Sequence, residues 1–268
     1  MADVRERLAA VVPEERLLTG DQIAEDYTHD ECLTVDAVAP GVVVRPESTE
    51  EVAEILRFAD AERIPVTARG AGTGLSGSAV AGSSSILVSF ERMNRVLEID
   101  TENHVAVVQP GVRLHELDEV VAGHGLVYPV YPGEYSATLG GNVATNAGGM
   151  RAVRYGVTRH QVLGLTAVLG TGEVVRTGGR FVKVSISATP GRMSLRTSAS
   201  GGSSAATGGM SSRSRPPRHV SVSPSGGSRS LQADNAVRSG NAARPVPGRI
   251  VAPQCFRARA VRRWRPGR

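Results

Sequence analysis

The sequence predicts an α+β fold, and three observations in its 268 residues carry that prediction. Residues 42–77 alternate strand, amphipathic helix, strand and a glycine-rich loop. Residues 86–108 and 162–176 hold short β-branched runs separated by turn residues. Composition then changes near Lys183. Residues 1–183 hold 25 of the 26 acidic residues and a net charge of −9; residues 184–268 hold one acid, Asp234, 15 arginines and a net charge of +14. The sequence pI of 9.7 averages two unlike segments, and says nothing about the folded part.

Taken in order, residues 1–32 read as short helical pieces, with Leu8 and Val12 at helical spacing and Pro13 as the interruption. Leu33 to Pro46 is extended and apolar, and Val42-Val43-Val44 is its buried strand. Ser48 and Glu51 have capping-box spacing. Val52, Ile55, Leu56 and Ala59 follow at i, i+3, i+4, i+7, which predicts a helix. Ile64–Thr67 predicts the next strand. Ile86–Phe90, Val96–Asp100 and Val105–Gln109 predict three more, with turns at Met93-Asn94 and Glu102-Asn103. Leu114, Leu117, Val120 and Val121 line a second helix closed by Gly123 and Gly125. Val162–Leu169 and Glu173–Arg176 predict a hairpin around Gly170-Thr171-Gly172.

Two cysteines, Cys32 and Cys255, do not make a disulfide framework, so a reducing, cytoplasmic setting is expected. The charged start of the chain does not read as a signal peptide. No apolar run approaches the ~20 residues of a membrane span.

The chemistry-bearing stretch is Arg69-Gly70-Ala71-Gly72-Thr73-Gly74-Leu75-Ser76-Gly77. Glycine permits positive φ and lets successive N–H groups face one concavity, which suits a pyrophosphate, with Arg69 supplying a positive charge beside it. Gly72–Gly77 matches the G-x-G-x-x-G dinucleotide string. That motif needs a helix to start inside it, however, and residues 77–85 are serine- and glycine-rich and lead into another strand. Strand, loop, strand is not a Rossmann unit; a plain surface loop is the competing reading. A second glycine-rich stretch runs from Tyr131 to Gly149. Its Asn142 and Asn146 either share a helical face or occupy left-handed turns. The histidines, His29, His104, His115, His124, His160 and His219, show no convincing metal spacing, and no metal site is expected.

Together, the Arg69–Gly77 loop, Pro132-Gly133, Ala137–Gly149, Arg154–Val157 and Val162–Gly179 resemble, in order, the FAD-binding domain of the vanillyl-alcohol oxidase type (PCMH-type). The subgroup is that of the glycolate oxidase FAD subunit and the D-lactate dehydrogenases. The string Gly140-Gly141-Asn142-Val143-Ala144-Thr145-Asn146-Ala147-Gly148-Gly149 is its most specific part. The resemblance implies a domain over residues 33–183 built of two α/β subdomains, 33–100 and 101–183. It implies FAD as cofactor. Residues 69–77 would wrap the pyrophosphate, and Pro132, Gly133, Ser136, Thr138, Gly141, Asn142, Thr145, Gly149 and Gly156 would line the rest. Some relatives carry a flavin-linked histidine in the loop; Thr73 stands there in this chain, so the FAD is expected to be non-covalent. The implied activity is oxidation of a 2-hydroxy acid, glycolate or D-lactate. An electron-transfer subunit or acceptor would be the partner, and no nucleic acid. No catalytic residue is identified, because in the family the substrate residues lie in a later cap domain.

The family continues past Gly178-Gly179-Arg180-Phe181-Val182-Lys183 into a Gly-Tyr-Asp-Leu stretch and, later, a Gly-Ser-Glu-Gly-Thr-Leu segment. This chain instead continues Val184-Ser185-Ile186-Ser187 and loses periodicity. Residues 184–268 are expected to be a disordered basic tail. Their arginine bias without lysine suggests a reading frame translated out of register, so that the chain is an incomplete, inactive member of the family. Two alternatives are a flavin-binding module without its own catalysis and a basic tail that binds nucleic acid.

Overall fold

The computed structural model describes residues 2–179, 188–189, 192–193 and 250–262. Residues 1–184 and 242–268 form one unit, and residues 185–241 a second. In the second, β10 (Ala188–Thr189) and β11 (Arg192–Met193) pair antiparallel, and no more of it is described. The elements below belong to the first, and β- and α-labels follow chain order.

The N-terminal segment carries helix α1 (Ala2–Ala9), three single 3₁₀ turns and a short strand, β1 (Leu17–Leu18). The strand refines the purely helical expectation: Leu17 and Leu18 pair antiparallel with Val44 and Val43 of β2 (Val42–Val44). Helix α2 (Thr49–Ala61) begins where Ser48 accepts the Glu51 N–H at 3.1 Å. The Glu51 carboxylate turns one residue further back than a capping box requires. It accepts the Glu47 N–H at 2.8 Å and the Arg16 guanidinium at 2.7 and 2.8 Å.

Strands β3 (Val66–Arg69) and β4 (Ile86–Ser89) complete the first sheet, in the order β1-β2-β4-β3. β2 and β3 both run parallel to β4. Parallel neighbours need a crossover, usually a helix. Here residues 70–85 make it as a loop, as the serine- and glycine-rich composition predicts. The core on this sheet gathers Leu8, Leu17, Val42, Val44, Val52, Ile55, Leu56, Ile86, Val88 and Phe90.

The second sheet is antiparallel in the order β5-β6-β12-β8-β9. β5 (Val96–Asp100) pairs with β6 (Val105–Val108) across a turn in which Asp100 accepts the Glu102 and Asn103 N–H groups. Helix α3 (Leu114–Gly123), strand β7 (Leu126–Val127) and helices α4 (Leu139–Thr145), α5 (Ala152–Tyr155) and α6 (Thr158–Gln161) follow. The hairpin of β8 (Val162–Leu169) and β9 (Val174–Gly178) closes one edge. The core on this sheet is built from Ala106, Val108, Leu114, Leu117, Tyr128 and Leu139. β8 also reaches the first core through Val168, and the β8–β9 turn packs on α2, where a Cβ at Gly172 would collide with Ala53 and Arg57.

The middle strand of this sheet, β12 (Ile250–Arg259), comes from the stretch expected to be disordered. Ile250, Val251, Ala252, Cys255, Phe256 and Ala258 give it enough apolar and β-forming residues to pair. Ala258 and Ala260 are buried in the second core, and β13 (Val261–Arg262) pairs with β7. Apart from β10 and β11, the rest of the predicted tail lies outside the described residues.

Candidate binding site

The two glycine-rich stretches meet at Gly70 and Thr138. Thr138 caps α4, its Oγ1 accepting the Gly141 N–H at 3.3 Å. A Cβ on Gly70 would collide with that same hydroxyl, so only glycine lets the loop come this close. Thr138 is held by the chain around Pro110: Leu139 N–H donates to Val112, Gly140 N–H to Pro110 and Leu114 N–H to Ala137, at 2.8–3.0 Å.

Arg69 also has a structural task that the sequence does not announce. Its side chain is buried, and its guanidinium donates to the carbonyls of His29 at 2.7 Å, Asp26, and Ala79 at 3.5 Å. Burial lowers its pKa, against the opposing pull of Asp30 and Asp26. The guanidinium thus ties residues 26–30 to the loop while Arg69 also lines the cavity described below. Asp30 supports the same clamp, accepting the Cys32 N–H at 3.0 Å and the Ala79 N–H at 3.4 Å. Gly72, at φ +76°, lies against the Arg69 guanidinium, and Gly77, at φ +72°, against Val35.

What the loop leaves open is its backbone. Among the described residues, the N–H groups of residues 71–77 have no hydrogen-bond acceptor. A cavity of about 360 Å³ is lined by Ala24, Asp26, Tyr27, Arg69, Gly70, Ala71, Ser89, Glu91, Asn94, Gly111, Arg113, Glu116 and Thr138, so that three acidic residues and two arginines border it. Pro110-Gly111 is visible in the sequence only as a break. That Tyr27, Glu91 and Arg113 converge on this cavity has no local signal, because they come from three separate segments. The Tyr27 hydroxyl donates to Glu91 at 2.9 Å; burial, then the Glu91 charge, pushes its pKa up to about 12.

The remaining predicted residues separate into groups. Asn142 lies in α4, buried, with its Nδ2 unpartnered among the described residues. Asn146 ends that helix in the left-handed conformation, its Oδ1 accepting the Arg159 N–H. Each asparagine thus takes one of the two readings open in the sequence. Gly149, at φ +119°, packs on Tyr131 and Pro132, bringing Pro132 and Gly149 together beside Gly133. Thr145 donates to Gly141, and Ser136 donates to Glu134 at 2.6 Å. Gly156 is set apart: a side chain there would strike His160, whose Nδ1 accepts the Val157 N–H at 3.1 Å. Of the predicted site residues only Arg69, Gly70, Ala71 and Thr138 line the cavity; residues 72–77 and the rest of the second stretch lie outside its lining, and Leu75 is exposed. Among the described residues no His, Cys, Asp or Glu cluster could hold a metal ion.

These features fit the diphosphate of an FAD. A run of unengaged N–H donors, three of the seven on glycines, suits an anion, and the adjoining cavity is within the ~300–1,000 Å³ of small-ligand pockets. Asn142 adds a buried amide donor in need of an acceptor.

Comparison with known proteins agrees with this geometry. A family model described as FAD binding domain matches residues 40–178. An uncharacterized FAD-linked oxidoreductase of Mycobacterium tuberculosis (strain ATCC 25618 / H37Rv) is 57% identical over 185 residues, 69% of this chain and 40% of that protein. The D-lactate dehydrogenase of Anaerostipes hadrus is 47% identical, over 67% of this chain and 38% of its own. The glycolate oxidase subunit GlcD of Bacillus subtilis (strain 168) is 37% identical, over 68% and 38%. The chain thus spans about two fifths of the length of these relatives. Among solved structures, an alkyldihydroxyacetonephosphate synthase superposes with a TM-score of 0.60 at 22% identity, covering 66% of this chain and 35% of that one; this likeness speaks for the fold alone.

Proposed function

The chain belongs to the FAD binding domain family, with the PCMH-type fold and FAD as cofactor, and from that premise we propose that it is part of an FAD-dependent 2-hydroxy-acid dehydrogenase acting on D-lactate or glycolate. The observation that carries the proposal is the run of N–H groups in residues 71–77 without an acceptor among the described residues, which starts where Gly70 meets Thr138. In this reading residues 70–77 hold the diphosphate through their backbone. Pro132, Gly133, Ser136, Thr138, Gly141, Asn142, Thr145, Gly149 and Gly156 border the remainder of the cofactor. Arg69, which lines the cavity, adds its charge to that backbone cradle and also shapes the loop. Bound FAD would supply a hydride acceptor, N5, for the substrate Cα–H. The names of the relatives support a hydroxy-acid substrate, and the subunit naming of GlcD supports an electron-transfer partner or acceptor. A cytoplasmic location, or one peripheral to a membrane through that partner, completes the reading. No helix among the described residues is long and apolar enough to cross a membrane.

Because the chain spans two fifths of its relatives, a flavin-binding module without its own turnover is the second reading. Hydride transfer needs Cα held against N5, and orientation contributes ~7–11 kcal/mol in favourable cases. Titration of the full chain with FAD, followed by quenching of flavin fluorescence, should saturate. With Thr73 at the linkage position, acid precipitation should release all flavin to the supernatant. The chain alone should show no D-lactate or glycolate oxidation with an artificial acceptor, and a version continued in the family's frame after Lys183 should oxidise at least one. Absence of any saturable FAD binding would refute the cofactor reading; turnover by the chain alone would refute the module reading while leaving the cofactor in place.

A further inference from the structure

β12 occupies a slot between β6 and β8 that the family-matched residues themselves leave open. The match covers residues 40–178, whereas β12 begins at Ile250. Without it the second sheet is two hairpins, β5-β6 and β8-β9, each with an unpaired edge. Both edges are apolar, Val105-Ala106-Val107-Val108 and Val162-Leu163-Gly164-Leu165-Thr166-Ala167-Val168-Leu169. Such an edge is a template for another strand.

The fit of β12 is unequal on its two sides. Against β6 the register is regular, with Phe256, Arg257, Ala258 and Arg259 opposite Val108, Val107, Ala106 and Val105. Against β8 it is broken three times, between Ile250 and Ala252, Pro253 and Cys255, and Arg257 and Ala258. Pro253 stands in the middle of a central strand, where it has no N–H to give. Residues 180–249 separate β12 from β9, so no short turn fixes which copy of the chain supplies it. A strand from a second copy would make the same backbone contacts as the chain's own. The balance between them is then set by concentration.

We propose that the β6–β8 slot is a strand-acceptor site through which two copies of this chain exchange residues 250–259. A native cysteine marks the test, since Cys255 stands opposite Thr166 of β8. Directly opposed residues of an antiparallel pair lie within disulfide reach. Thr166→Cys is made in a Cys32→Ala background, and ¹⁵N-labelled and unlabelled chains are mixed, unfolded, refolded together at low and high concentration, and oxidised. Mass spectrometry of the linked peptides should show same-mass links at low concentration and a heavy–light fraction rising toward one half at high concentration. Thr177→Cys on β9, two strands from β12, should link to neither. Links that stay same-mass at every concentration, or no link at position 166, would overturn the proposal. If Thr166→Cys does not fold, native mass spectrometry of mixed-isotope wild-type chains gives the same decision: concentration-dependent mixed dimers support exchange, and monomer alone refutes it.

Discussion

Gly72 and Gly74 show how neighbouring glycines answer to different constraints. Gly72 sits at positive φ against the Arg69 guanidinium, whereas a Cβ on Gly74 would meet only Asp30 Oδ2 at an ordinary 3.7 Å. Gly72→Val should therefore lower the melting temperature without any flavin present, because it displaces a buried, hydrogen-bonded cation; the cost is roughly 1.5–3 kcal/mol for hydrogen bonds to a charged group. Gly74→Ala should leave the melting curve of the flavin-free chain unchanged and still weaken FAD binding about tenfold or more, since the proposed reading lays the diphosphate on the backbone of this loop. Equal flavin affinity in Gly74→Ala and wild type would remove Gly74 from the site. The glycine loop itself is legible in the sequence because φ and Cβ constraints are written in residue type. The clamp that Arg69 makes on residues 26–30 is not, because its acceptors are backbone carbonyls, and any residue has one.

At the level of elements, α2 is anchored to the N-terminal segment by Arg16 and Glu51. Burial raises the Glu51 pKa, but the Arg16 hydrogen bonds and the Glu47 N–H outweigh it and hold the carboxylate below its ordinary 4.5. A depressed folded-state pKa stabilises the fold above the unfolded value and loses that contribution as pH falls through the folded value. Wild type should thus lose stability in denaturant titrations below about pH 4.5, and Glu51→Gln should be less stable at pH 7 while showing a smaller loss over the same acid window. An unchanged acid slope in Glu51→Gln would show that the pair does not govern it. Helix α2 is readable because its period is sustained over three turns, and strands β2, β4 and β5 because they are apolar, β-branched runs bounded by turn residues. Leu17-Leu18 is not, since two residues carry no period. Nor is β12, since arginines and Pro253 interrupt its pattern and its partners, β6 and β8, lie far back in the chain.

For the molecule as a whole, β12 makes the second core depend on residues beyond the family match. Ala258 is fully buried there. Ala258→Asp should cost several kcal/mol, because it places an unpaired carboxylate in an apolar core, whereas a residue of a loose tail would tolerate the change within about 0.5 kcal/mol. Thermal melts of the two chains read the difference directly. The position of β8 has a mechanical consequence. Val168 is seated in the first core while its strand belongs to the second sheet, and Gly172 at the end of the same hairpin is wedged on Ala53 and Arg57 of α2. Two footholds on one hairpin act as a rivet against sliding. To slide one sheet past the other would mean drawing Val168 out of an apolar core and lifting Gly172 off α2 at the same time.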